Sequence, residues 1–235
     1  MTVFILATKI FFRELRSGQL LLMFLSLSLA VGIVASITFF TDRLDSSLMM
    51  ESKQFLGGDL KYESSTPLNE SKFPIENYSY AVINEFGSVL GSTKKFQLAS
   101  VKSVSPPYPL IGEIEILKIN NEKVIKTNPP KSGKVWLDMR LAELLEVTIN
   151  DKINIGEKDF LVSGIIVAES DRGAGSFAFA PKAIMNSFDL DEANVIQPGS
   201  RVRYSYIFVG SKEAVKLLEN FFQSIKKPGD EITTP

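Results

Sequence analysis

Asp171-Arg172-Gly173-Ala174-Gly175-Ser176 is the stretch of this chain that comes nearest to a chemical motif. Glycines beside a cation and a hydroxyl could cradle a phosphate through their backbone N–H groups. That chemistry needs the G-x-x-x-x-G-K-[ST] pattern and a helix whose N-terminus points at the anion. The pattern is missing and no long helix follows, so the segment reads as a surface loop between two strands. Gly173-Ala174-Gly175-Ser176-Phe177 is not a nucleophile elbow either, because its serine is misplaced for G-x-S-x-G. Glu113 and Glu115 could form a carboxylate pair, but they alternate on a strand-like run and read as one solvated face.

Composition closes most other routes. The 235 residues include no histidine and no cysteine. Zinc sites draw on those two residue types, and many nucleophilic enzymes need a histidine base. Carboxylate pairs and Ser–Lys dyads are left open, yet no spacing picks one out. No catalytic residue, cofactor or metal ligand is therefore expected. Without cysteine there is no disulfide framework, so any folded domain must stand on its core.

What the chain does display is a solvent preference. No charge occurs between Arg16 and Asp42, and residues 20–40 are almost wholly apolar. At a rise of about 1.5 Å per residue, roughly twenty such residues cross the hydrocarbon core of a bilayer. A buried core helix of this length should carry a polar face, whereas the polar residues here (Gln19, Ser26, Ser28, Ser36, Thr38) are small or terminal. A signal peptide has a shorter apolar core and a small-residue cleavage site. Phe39, Phe40 and Leu44 instead prolong this one. The expected element is a retained transmembrane helix over residues 19–40.

Lys9, Arg13 and Arg16 precede the span, with Glu14 the one acid among them, and Asp42, Arg43 and Asp45 follow it. This bias predicts a cytoplasmic N-terminus and an outer remainder. Of 26 basic and 27 acidic residues the head takes three and one, leaving the remainder 23 against 26, a balance of −3. No basic tract remains to bind nucleic acid, and that class is set aside.

Residues 1–18 wrap as a helix with Val3, Phe4, Ala7, Ile10, Phe11 and Leu15 on one side and Lys9, Arg13 and Arg16 opposite. The expectation is a cytoplasmic-side amphipathic helix along the membrane surface, with the basic stripe toward lipid headgroups and Ser17-Gly18 as a hinge. An extension of the spanning helix, or a stripe that docks a protein partner, would use the same residues. Beyond the span, Phe40, Leu44 and Leu48 recur every fourth residue until Gly57-Gly58 ends the pattern like a glycine C-cap. Residues 41–57 are thus expected to form an extracytoplasmic stalk helix. An ordinary amphipathic helix packed on the domain would show the same pattern.

The rest, 58–235, is expected to be an α+β domain, because strands and helices do not alternate regularly. Expected strands cover 59–64, 78–83, 96–104, 113–117, 135–137 and 201–209, with a hairpin of 152–155 and 160–167 around Gly156-Glu157. Asp138 should cap a helix through Leu145, and Ser211 a last helix with Val215, Leu218, Phe222 and Ile225 on one face. Phe177 to Ala180 reads as a strand and the residues after Pro181 as a short helix. Prolines at 106, 107 and 109 and at 129 and 130 mark two breaks. The polar tail from Lys226 lacks any closing element.

Several segments taken in order resemble the start of an FtsX-like permease subunit of an ABC transporter, of the MacB or lipoprotein-releasing type. They are Phe12-Arg13-Glu14-Leu15-Arg16-Ser17-Gly18, Phe40-Thr41-Asp42-Arg43-Leu44 and Phe55-Leu56-Gly57-Gly58-Asp59-Leu60. Tyr108-Pro109-Leu110-Ile111-Gly112-Glu113 and Gln197-Pro198-Gly199-Ser200-Arg201-Val202 are similar to the YbbP-like branch. The resemblance implies a MacB-like periplasmic core domain of two lobes, one α/β and one mainly β inserted within it. It also implies an inner-membrane location, a separate ABC-type ATPase subunit as partner and a permease homodimer. Lipid contact through Lys9, Arg13 and Arg16 fits the same picture. Arg43, Leu44 and Leu48 become stalk positions that transmit ATP-driven motion to a lipidic or lipoprotein-like substrate. Family members carry further spans after this domain, so the chain looks like an N-terminal fragment. A stand-alone anchored binding or adaptor domain without an ATPase is the competing expectation, and an anchored hydrolase is disfavoured by the missing histidine.

Overall fold

Helical periodicity governs the first 56 residues. The computed structural model describes residues 2–16, 18–74, 77–119, 122–126, 128–170 and 180–235. Helix α1 (Thr2–Arg16) ends before Gly18, whose φ of 82° lies in the left-handed region, and helix α2 (Gln19–Leu56) starts directly after it. α2 has 38 residues, about 57 Å of helix. It is the one helix among the described residues long and apolar enough to cross a membrane. Its hydroxyls need no water. Thr38, Thr41, Ser46 and Ser47 each donate to the carbonyl four residues earlier at 2.9–3.0 Å. Those are the bonds that make such side chains tolerable in an apolar solvent.

The chain divides into two compact units, residues 1–50 and 51–235. The last turns of α2 therefore belong to the second unit, seven residues ahead of the expected domain start at 58. That unit contains β1 (Leu60–Ser64), β2 (Tyr78–Gly91), β3 (Phe96–Val104), β4 (Ile114–Leu117), β5 (Lys123–Lys126) and β6 (Lys134–Asp138). Helix α3 (Met139–Leu145), β7 (Lys152–Ile155), β8 (Lys158–Glu169), β9 (Lys182–Asn186) and α4 (Leu190–Ala193) follow. The chain continues with β10 (Val202–Gly210), α5 (Lys212–Ile225) and β11 (Glu231–Thr233). The strands form one sheet in the order β11-β1-β10-β2-β3-β9-β6-β8-β4-β5, and β7 bridges β2 and β8 off that path. Only the β3–β9 and β6–β8 pairs are parallel among the described ladders.

Strand alternation explains where the core sits. On β2, Tyr80, Val82, Phe86 and Leu90 face one side of the sheet, and Ala81 and Ile83 the other. At one end of the first face, Leu60, Tyr62, Phe73 and Phe208 pack against Leu218 and Phe222 of α5, with the Tyr62 and Phe222 rings stacked 4.5 Å apart. At the other end, Phe86, Leu90 and Val101 pack with Leu137, Leu141, Phe160, Val162 and Met185. The opposite face buries Ile83, Val104, Tyr108, Ile114, Trp136, Ile184 and Ile207 together. An α/β part and a mainly β part can thus be told apart by their cores while sharing one sheet. The expected α+β domain behind one apolar helix is what is found.

Both expected caps are present. Asp138 accepts from the Leu141 N–H at 2.6 Å and Ser211 from the Ala214 N–H at 3.2 Å. Other expectations need correction. The residues after Pro181 form strand β9, not a helix, because Lys102 to Asn186 register places them between β3 and β6, where Ala183, Ile184 and Met185 are buried on both faces. A short apolar run has no period long enough to separate helix from strand. The strand expected over 78–83 continues to Gly91. The tail does close the fold, since β11 pairs with β1 and the buried Asp230 just before it accepts a bond from the Tyr62 hydroxyl at 2.5 Å. Between the two proline breaks lies the β4–β5 hairpin at the sheet edge. The 171–176 loop and residues 177–179 of the expected 177–180 strand lie outside the described residues.

Candidate functional site

The site with the most mechanical content is where the last turns of α2 enter the sheet. Leu56 is buried, and Gly57, at a φ of 77°, returns its N–H to the Lys53 carbonyl at 2.9 Å. A left-handed residue ends a helix in this way, and only glycine takes the conformation without cost. Gly58 is needed for another reason. A Cβ there would lie 2.4 Å from Ile207 Cγ2 and 2.8 Å from the Phe208 carbonyl oxygen. The backbone thus runs directly against β10.

Asp59 completes the joint. Its N–H donates to the Phe208 carbonyl at 2.8 Å, and its carboxylate accepts from the Gly210 N–H at 3.1 Å and pairs with Lys53 Nζ at 2.7 Å. The same side chain holds the final helical turn and the end of β10. The exposed ion pair adds little stability by itself. The two backbone bonds and the close packing give the joint its stiffness.

A second cluster lies inside the domain. Lys102 is 1% exposed, and its ammonium donates to the Tyr108 hydroxyl and to Glu169 Oε1, both at 2.7 Å. Glu169 Oε2 takes Lys182 Nζ at 2.8 Å, and the Lys182 N–H donates to Asp138 Oδ2 at 3.0 Å. Burial pushes the Glu169 carboxyl up, but the two ammonium charges outweigh burial and hold it down at about 2. Burial also raises Asp138, against its bonds from the Leu141 and Lys182 amides. This network joins β3, β8, β9 and the cap of α3. Its charges are mutually satisfied, so it offers no free acid or base, and its role is to fix strands. The sequence carried one signal of it, a lysine inside the small and apolar run of β3.

The expected site residues do not converge. Lys9 and Arg13 lie one turn apart on α1 and are exposed, and the Arg16 side chain lies outside the described part. Arg43, Leu44 and Leu48 are exposed on α2, the leucines at 45% and 53%. Sequence reasoning missed Lys53 and Asp59 as partners, because their pairing requires the αL turn at Gly57 to bring them together. Among the described residues no group of acids could hold a metal ion.

The helix-fed mixed sheet defines a class. The chain has the fold of the periplasmic region of MacB from Actinobacillus actinomycetemcomitans, with a TM-score of 0.50 at 10% identity over 79% of this chain and 93% of that one. A weaker likeness, TM-score 0.47 at 8% identity over 75% of this chain and all of that one, is to the extracellular domain of the noncanonic ABC-type transporter YknZ from Gram-positive bacteria. In sequence, the chain is 31% identical over 225 residues to the uncharacterized ABC transporter permease YbbP of Escherichia coli K12. The match takes in 93% of this chain and 27% of that protein, so the chain spans about a quarter of its curated relative. No protein-family model matches the chain. The sequence match and the shared fold support a MacB/FtsX-like permease.

Proposed function

We propose that the chain is part of an ABC transporter permease subunit that carries motion from a partner ATPase across the inner membrane to its outer domain. On this reading residues 19–40 span the membrane, 41–57 act as the stalk, and 58–235 form the periplasmic core domain. α1 lies on the cytoplasmic side, with Lys9, Arg13 and Arg16 against anionic headgroups, and Arg43, Leu44 and Leu48 are stalk positions. The permease works as a homodimer and extracts or exports a lipidic or lipoprotein-like substrate, while ATP hydrolysis belongs to a separate chain. The observation that carries the reading is one helix of 38 residues, from Gln19 to Leu56, ending in a packed joint on β10. A simple tether needs neither that length of unbroken helix nor a stiff end. The YbbP match gives the transport class.

Topology is the first test. Fusions of a periplasm-dependent and a cytoplasm-dependent reporter after Leu60 should be active and silent respectively. The reverse pattern would remove the orientation and the ATPase coupling built on it.

A further inference from the structure

The two cores on the first face of the sheet are separated by a groove of about 540 Å³. Tyr78, Tyr80, Val82 and Asn84 of β2 line it, with Glu70 and Phe188 among the residues around them. A volume of this size suits a small organic ligand. Phe188 is 73% exposed despite its size. Asn84 is 8% exposed, and its Oδ1 has no hydrogen-bond partner. A buried acceptor left unpaired costs stability unless something donates to it. It sits between Val82 and Phe86, where the two cores part.

The other polar groups of the groove set the ligand's chemistry. The Tyr80 hydroxyl donates to Glu70 Oε2 at 2.7 Å and the Tyr78 hydroxyl to the Pro74 carbonyl at 2.8 Å. Both phenolic donors are therefore engaged within the protein. Ser105 Oγ accepts from the Val82 N–H at 2.8 Å. The remaining capacity is that of acceptors, namely Asn84 Oδ1 and the Glu70 carboxylate. None of the described lining residues is lysine or arginine. Aromatic faces beside a carboxylate favour a cation.

We propose that this groove binds a ligand carrying a protonated amine on an aromatic or similarly flat apolar body. The amine donates to Asn84 Oδ1, the Glu70 carboxylate favours its charge, and the body rests on Phe188 and the tyrosine rings. The inference does not rest on the transport reading, because it concerns binding by the folded domain alone.

The test uses the full chain in nanodiscs of zwitterionic lipid and two probes, tryptamine and indole-3-propionate, which share a ring system and differ in charge. Ligand-observed NMR, corrected with empty nanodiscs, should show saturable binding of tryptamine in the millimolar range and none of the anion. Asn84→Ala should weaken binding about tenfold, as loss of a charge-assisted bond implies. Phe188→Ala should weaken it severalfold with unchanged thermal unfolding, since that ring is exposed, and it decides alone if Asn84→Ala fails to fold. Absence of saturable binding, equal binding of the anion, or binding indifferent to the variants would overturn the proposal.

Discussion

Replacing Glu169 by Gln removes the one carboxylate that faces both Lys102 and Lys182 while keeping the side chain's shape. Lys102 is 1% exposed, so its ammonium cannot recover water in exchange. Breaking a buried pair by deleting one charge costs about 3–5 kcal/mol, because the partner stays buried and uncompensated. The pH behaviour gives an independent magnitude. The Glu169 carboxyl falls from an ordinary 4.5 to about 2 in the folded state. That difference corresponds to stability on the order of 3 kcal/mol. A depressed folded value means the contribution is complete above about pH 4.5 and is lost as pH falls toward about 2. Thermal and urea unfolding of a fragment covering residues 51–235 would measure both. Glu169→Gln should lower Tm by roughly 6–20 °C at neutral pH, taking about 2–4 °C per kcal/mol for a domain of this size. It should also flatten the acid limb of the stability curve. Lys102→Met should be destabilising too, and the double variant should cost less than the two single costs added. A loss under about 1 kcal/mol for Glu169→Gln, with the acid limb unchanged, would refute the account of the cluster as a set of strand-fixing charges.

Two further outcomes follow from the joint and the closing strand. Gly58→Ala drives a Cβ against the Phe208 carbonyl and Ile207, so it should cost about 1–3 kcal/mol and expose the Asp59 amide to hydrogen exchange; an unshifted midpoint would contradict the close packing. Tyr62→Phe leaves the buried Asp230 carboxylate with one donor fewer and should cost about 1–3 kcal/mol in urea unfolding, with a neutral result contradicting the role given to that bond.

Much of this architecture is written locally. The apolar run after Gly18 needs no partner to be recognised, since a twenty-residue stretch without charge is helical and membrane-sized on its own terms. Asp138 and Ser211 cap helices with bonds three residues away, so a short window of sequence contains both partners. The same is true of Gly57, whose acceptor is Lys53. The misread segments depend on distant neighbours. Residues 182–186 become a strand because β3 and β6 flank them, and the tail becomes β11 because β1 offers an edge and Tyr62 a donor for Asp230. Lys102, Tyr108, Glu169 and Lys182 span 80 residues of sequence, and only the finished sheet brings their charges together. The stalk positions were readable as a pattern. Their joint to β10 was not, because Gly58 meets Ile207 and Phe208 from the far end of the chain.

Transmission through α2 is the central claim, and a single proline tests it most directly. Ser47 lies within the helix, beyond the apolar span, and its hydroxyl bonds the Arg43 carbonyl at 2.9 Å. Ser47→Pro removes the backbone bond to the same carbonyl and forces a clash with the preceding turn, costing about 3 kcal/mol or more and kinking the helix. Neither residues 19–40 nor the sheet is touched. In the full-length permease with its ATPase partner, the measurement is ATP-dependent transport at matched expression. The account predicts normal insertion, a normally folded outer domain, retained ATPase binding and a sharp fall in transport. Transport at the unsubstituted level would contradict it and leave α2 as an anchor alone.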